Sequence, residues 1–296
     1  MNIKKDGKKK ITIEFDSIDD VVEHLRSDLR PKGYSVEYDN QSFCKYSWDE
    51  AMNFLENGWI EGISKMDAVM HDIEGQGEGF ETYIKYDVTG DFLNVGRFMA
   101  GEPECCGQFK KRKTKTGDIN LMVNISAHAH VNQETMINRG AAIQSLVDNL
   151  MDTHFVNLQF VEHTRDICEF KEFTIIINCD TRNFYSREAI AFMTGNPAFL
   201  RRICFAIDEI HCKKDKCGGY GIPDDIPTDE RKDIDLYFGA LRGDEERKWQ
   251  TPQICKENVN KLIAEVTGRE PEDNNGGYIP PSPGRVQPLA GRYGNR

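Results

Sequence analysis

No stretch of the 296-residue chain approaches the ~20 consecutive apolar residues that a membrane helix requires. The opening residues, MNIKKDGKKKITIEF, also lack the apolar run of a secretory signal. The expectation is a cytosolic protein with no membrane partner. Positive charge is in deficit as well: 38 Lys and Arg against 49 Asp and Glu give a net charge of −11. Such a balance repels polyphosphate, so nucleic-acid binding would need a local basic patch. Nine cysteines, an odd number in a chain without an export signal, argue for reduced thiols and against a disulfide framework. A phosphate loop is missing too. Gly75, Gly77 and Gly79 cluster, but without a strand before them or a Lys-Ser/Thr after, and Glu74 and Glu78 would repel phosphate.

What is present suits a globular protein, with 39% hydrophobic and 29% charged residues. Alternation at Ile11, Ile13 and Phe15 predicts a short strand behind a solvated, lysine-rich arm. Ser17 has the position of a helix cap before Ile18, Val21, Val22, Leu25 and Leu29, and Pro31 stops that helix. Ser47 and Glu50 have capping-box spacing, opening a helix that ends near Gly58; another runs from Glu61 to about Ile73. Phe80 to Val88 reads as a strand. Phe92 to Cys106, rich in Gly and Pro, reads as a compact loop packed on the core. Lys110 to Lys115 carries five cations in six residues and has the look of a hairpin tip.

From there the pattern changes. Strands at 119–126, 155–161, 173–179 and 234–240 alternate with helices at 133–151, 187–193, 198–210 and 252–266. This order predicts an α/β fold, a mostly parallel sheet with helices on both faces, over residues 117–268. A smaller α+β amino-terminal part, 1–116, precedes it. Residues 269–296, full of Gly and Pro, form a flexible tail in which Tyr278 and Tyr293 could serve as anchors.

Open α/β sheets bind ligands beyond the carboxyl ends of their strands. There the chain reads Asn124-Ile125-Ser126-Ala127-His128, followed by Ala129 and His130. The run resembles the strand end of von Willebrand factor A domains, whose metal site uses Asp-x-Ser-x-Ser; a Rossmann-like unit is the other expectation. Asn124 replaces the first carboxylate and His128 the last hydroxyl, which removes the main attraction for a hard cation. His128 and His130 could support a transition metal or a general base, and His211, Cys212 and Cys217 with Cys105 and Cys106 a zinc site, but the sequence assigns the histidine pair no third ligand and the Cys-x4-Cys spacing is wider than that of most zinc knuckles. The reading therefore assigns no catalytic residue, no metal and no cofactor. Lys111, Arg112 and Lys113, with Arg97 and the aromatics Trp59, Phe92 and Phe98, are the candidate interaction residues, and they admit a single-stranded DNA-binding alternative.

At Asn57-Gly58-Trp59-Ile60-Glu61-Gly62, at Gly90-Asp91-Phe92-Leu93-Asn94-Val95-Gly96-Arg97-Phe98-Met99-Ala100-Gly101-Glu102-Pro103-Glu104-Cys105 and at Arg139-Gly140-Ala141-Ala142-Ile143, the chain resembles a widespread group of phage-encoded proteins. Its size and acidity are also similar to those of Gabija anti-defence proteins, phage inhibitors of a bacterial nuclease–helicase complex. The resemblance implies a non-enzymatic, homo-oligomeric inhibitor in the host cytoplasm, with that defence complex as partner. An anionic surface is physically suited to the cationic DNA path of such an enzyme.

Overall fold

The computed structural model describes residues 1–7, 10–27, 33–37, 44–70, 80–90, 92–113, 117–151, 153–166, 171–180, 186–211 and 220–267. The tail, with Tyr278 and Tyr293, and the cysteines Cys212 and Cys217 lie outside the described residues.

Alternation along the strands organises the main sheet. Strands β1 (Asn2–Asp6), β2 (Lys10–Phe15), β6 (Asp118–Asn124), β7 (Phe155–Arg165), β8 (Glu172–Asp180), β9 (Ile222–Pro223) and β10 (Leu236–Phe238) form seven strands in the order β1-β2-β8-β7-β6-β10, with β9 against β7. β2 and β8, β6 and β7, and β6 and β10 pair in parallel, whereas β7 and β8 form an antiparallel hairpin. Residues 119–126, 155–161 and 173–179 thus share one sheet, as the sequence pattern predicts. The lysine-rich start differs from its expectation: it is an exposed edge strand, β1, antiparallel to β2. Its lysines hid the strand because they keep the edge solvated and unattractive to another chain.

One sheet face is apolar. Ile13 and Phe15, Ile119 and Leu121, Leu158 and Phe160, and Ile175 and Ile177 all enter the same buried cluster. Residues of helices α1 (Ile18–Arg26), α3 (Trp48–Asn57), α4 (Ile60–Met70), α6 (Gln133–Met151), α7 (Arg187–Gly195) and α10 (Pro252–Thr267) complete that cluster; α2 (Tyr34–Glu37) is a single short turn. The amino-terminal elements up to Met66 therefore share both sheet and core with the α/β unit. On the other face, Met122 and Val161 pack with Ile226 and Ile234, from the segment between β9 and β10, and with Tyr237 of β10. Amides bond across the remainder: Asn157 to Asn120 and Gln159 to Asn178, each at 2.9 Å. The capping box predicted at Ser47 is present at the start of α3, both reciprocal hydrogen bonds included.

A second, three-stranded sheet has the order β3-β5-β4, from β3 (Phe80–Asp87), β4 (Phe92–Leu93) and β5 (Cys106–Lys113). Lys110 to Lys113 lie in its central strand, paired with Tyr83 to Phe80, so the described part of the basic run is strand. Backbone groups alone make an antiparallel ladder, and cationic side chains are no obstacle to it. Among residues 85–90 and 92–108, none belongs to a buried cluster. No described helix is long and apolar enough to cross a membrane.

Two features generate tests. Helices α6 and α7 approach closely at Gly140 and Gly195, and the Met66 methyl from α4 lodges at both; a Cβ on Gly140 would overlap it and stand 2.7 Å from the Thr194 hydroxyl. Gly140→Val is expected to cost about 1–3 kcal/mol through overpacking. In a Met66→Ala background, which itself costs about 2–5 kcal/mol, the same change should cost less, a coupling that denaturant titration of the four proteins would measure.

The second feature joins α1 to α8 (Phe205–His211). His24 and His211 meet head to head, Nε2 to Nε2 at 2.9 Å, so one ring must donate and the other accept. Burial, and for His24 the amino terminus, lowers its pKa; burial, His24 and Lys5 lower that of His211 to about 4. Because the unfolded chain then binds more protons, stability is expected to fall as pH drops from about 6.5 towards 4. Thermal unfolding across that range should show the loss, and a His24→Gln/His211→Gln double variant should show a flatter profile.

Candidate functional site

The carboxyl end of β6 is a crowded polar junction. Asn124 is fully buried; its amide donates to the Asp224 carbonyl at 2.8 Å and the Tyr237 hydroxyl at 3.2 Å, while its Oδ1 accepts the Ser126 N–H at 3.0 Å. Ser126 Oγ donates to the His163 carbonyl and accepts the His163 N–H. The two polar side chains that the strand end shares with a cation-binding loop are therefore committed to the protein itself. Arg165 and Arg242 both pair with Asp224. Burial opposes ionisation of Asp224, but the Asp225 N–H and these two guanidiniums outweigh it and hold the carboxyl below its ordinary range.

A buried cation supports the junction from α6. Arg139 is 1% exposed and donates from Nη2 to the Gly239 carbonyl at 2.7 Å, just past β10. Burial brings its pKa down to about 10, against the raising influence of Glu245, Tyr237 and Asp225. The Arg139-Gly140 motif is thus structural: the arginine ties α6 to the strand end, and the glycine admits Met66.

His128 and His130 do come together, with ring centroids 5.3 Å apart and nearly parallel. His130 meets Glu246 at 3.2 Å. Among the described residues, no group of three His, Cys, Asp or Glu gathers to hold a metal.

Beside this junction, on the helix side of the sheet, opens a cleft of about 540 Å³. Its floor is Ser126, Glu162 and Thr164 at the ends of β6 and β7; its lip is His128 and Ala129. One wall is Leu200, Arg201 and Phe205, the other runs from Tyr220 to Pro223. Residues 199–204 form a π-helix, Phe199–Cys204, which carries Leu200 and Arg201 into the wall. A wide turn of this kind inside a helix recurs at functional sites. Sequence reading missed Glu162, Arg201 and Tyr220, whose positions are far apart in the chain; the strand-end rule found Ser126 on the floor and the lip.

Elsewhere, the candidate interaction residues separate. Trp59 is fully buried against Phe54 in the core, so it is not a surface aromatic. Its place at the start of α4 beside Gly58 suggests a loop in sequence, but the entire ring is enclosed on folding. Arg97 pairs with Glu102 at 2.6 Å and lies over the Tyr86 ring, a local brace. Lys111, Arg112 and Lys113 occupy β5. Phe92 to Cys106 does not pack on the core. Phe92 covers Gly107, and from β4 the chain passes into the short α5 (Val95–Met99), which leaves Leu93 48%, Val95 63%, Phe98 58% and Met99 78% exposed.

Fold and site define an α/β protein with a polar-sealed strand junction, a cleft beside it and an apolar outer segment. The chain belongs to the family described as Domain of unknown function (DUF7192), which it matches over residues 3–265. No curated protein matches it, and no solved structure does.

Asn124→Asp tests the sealed junction. The change deletes two donated hydrogen bonds and buries a carboxylate facing the Asp224 carbonyl, an expected loss of about 3 kcal/mol. Urea unfolding with and without millimolar Mg²⁺ or Mn²⁺ should show that loss in both conditions; recovery by the cation would mean that the junction is a disguised metal site.

Proposed function

We propose that the protein acts by binding another protein, as an inhibitor that occludes its partner, in the host cytoplasm. One observation carries this reading: the exposed apolar run Leu93, Val95, Phe98 and Met99 on β4 and α5. This segment is held by Phe92 on Gly107, by Asn94 capping the Arg97 N–H and bonding the Tyr86 hydroxyl, and by the Arg97–Glu102 pair. Four of its large apolar side chains nevertheless stand in solvent. Contiguous exposed apolar residues in an otherwise charged chain are a mark of protein association.

The segment coincides with the longest of the motifs that resemble phage-encoded proteins, so the first partner to test is the one that resemblance implies, a Gabija-type nuclease–helicase complex. The net charge of −11 supports an approach to its cationic DNA path. On this reading the sheet-and-helix body is a scaffold, and self-association of the chain would use surface outside the segment. The basic run on β5 favours the alternative, binding of single-stranded DNA.

Phe98→Ser/Met99→Ser is expected to weaken binding to the purified complex by at least tenfold, the scale of a lost hot spot, while leaving thermal unfolding unchanged. Phage plating on cells carrying the defence system should be restored by the wild-type protein and not by the variant. Failure of the wild type to restore plating, together with steeply salt-dependent DNA binding that Lys111→Glu/Arg112→Glu/Lys113→Glu removes, would replace this reading with the DNA-binding one.

A further inference from the structure

We propose that the adjacent cysteines Cys105 and Cys106 are a redox modification site, a dithiol that exchanges with a low-molecular-weight disulfide, closes on itself and loosens the apolar segment beside it. The inference does not depend on what that segment binds. Accessibility singles the pair out. Among the described cysteines, Cys44, Cys204 and Cys255 are buried. Burial pushes the thiols of Cys179 and Cys255 up to about 12 and that of Cys204 well above its ordinary value, and the Cys44 thiol is spent on the Tyr46 carbonyl at 3.2 Å. These four behave as inert, hydrophobic thiols. Cys105 and Cys106 are half-buried and follow one another in the chain.

Successive side chains of an extended strand point to opposite faces, which would keep two neighbouring thiols apart. Here Cys105 stands just outside β5 and Cys106 opens it, and the two thiols are hydrogen-bonded to each other. Burial, the charge of Cys105 and that hydrogen bond raise the pKa of Cys106, so Cys106 holds its proton beside an ionised Cys105. The pair is thus arranged as one attacking and one resolving sulfur. The Cys105 thiolate attacks one sulfur of a disulfide RS–SR; that S–S bond breaks, one RS⁻ departs, and Cys105 becomes a mixed disulfide. Cys106 then gives up its proton and attacks the Cys105 sulfur, expelling the second RS⁻. The two cysteines lose two electrons to RS–SR, and the two RS⁻ take up the two protons the cysteines released.

The closed ring contains the peptide that joins the two residues, and that peptide holds the segment. Its carbonyl, on Cys105, accepts the Asn94 N–H at 2.8 Å. Asn94 in turn caps α5 by accepting the Arg97 N–H at 3.1 Å, while Cys106 pairs with Leu93 of β4. Neighbouring Cα atoms are about 3.8 Å apart across a trans peptide, short of the ~4.4–6.8 Å that an ordinary disulfide spans, so closing the ring must twist this peptide. The twist turns the carbonyl away from Asn94, and residues 93–99 lose an anchor. A bond formed under that constraint is also readily reduced, which makes the modification reversible.

The test uses the full-length reduced chain with oxidised glutathione as probe, read by peptide mapping in a mass spectrometer and by amide hydrogen exchange. Mapping should find Cys105 and Cys106 linked within one peptide, two hydrogens lost and no glutathione retained, before Cys44, Cys179, Cys204 or Cys255 reacts. Dithiothreitol should reverse the change. Cys106→Ser, which removes the resolving sulfur, should stop at a glutathione adduct on Cys105. In the closed wild-type form the amides of residues 94–98 should exchange about tenfold faster than in the reduced form, the scale of one weakened hydrogen bond, while those of β7 stay unchanged. Ring formation and exchange are both read on the unaltered chain, so they decide the matter even if the serine variant fails to fold. No reaction of the pair at millimolar oxidised glutathione, a stable glutathione adduct on the wild-type pair, a link from either cysteine to a third, or unchanged exchange at 94–98 in the closed form would each overturn the proposal.

Discussion

β7 is the strand on which the rest of the molecule depends, because it must satisfy a parallel neighbour on one side and an antiparallel one on the other. Its residues Val156, Leu158 and Phe160 point to the helices, and Asn157 and Gln159 point away. A one-residue slip would exchange these sets and bury amides under α6 while exposing three large apolar side chains. The register with β6 and β8 is thereby fixed. Once it is fixed, β2 can extend the sheet beyond β8, and the amino-terminal helices find an apolar surface already formed.

The same register controls the upper end of the sheet. Continuing the alternation of β7 brings Glu162 and Thr164 to the helix side and His163 to the other, where its backbone locks Ser126. The junction around Asn124 is then closed by Asp224, Tyr237 and two arginines, and the cleft opens only on the helix side. A polar network that is satisfied internally is well suited to rigid support. Its groups hold the strand ends in position beside the cleft.

Where one segment's own period decided the outcome, the sequence was readable. The helix at Gln133–Met151, the capping box at Ser47 and the three strands from β6 to β8 all emerge from spacing or cap chemistry. β1 was hidden because an edge strand of lysines carries no apolar alternation, and the basic run in β5 because charge suggests a loop until its pairing with β3 is known. Trp59 could not be placed, since a Gly-flanked tryptophan is equally compatible with a surface and a core. The cleft was legible only at Ser126 and His128. Glu162, Arg201 and Tyr220 come from three other parts of the chain, and no local signal links them before the sheet assembles.

Exposure and charge divide the molecule's two candidate surfaces along physical lines. The outer segment on β4 and α5 contributes nothing to the buried core among its described residues, so its apolar side chains are not retained by the fold's own energetics. An apolar surface in contact with water costs solubility, a cost the net charge of −11 offsets by keeping copies apart. The cleft stands in the opposite situation. Its floor consists of strand ends fixed by the main sheet, so its polar groups are held in place by the fold itself. Substitutions at Phe98 or Met99 should accordingly be additive in stability with those at Glu162 in the other sheet or Arg201 in the π-helix.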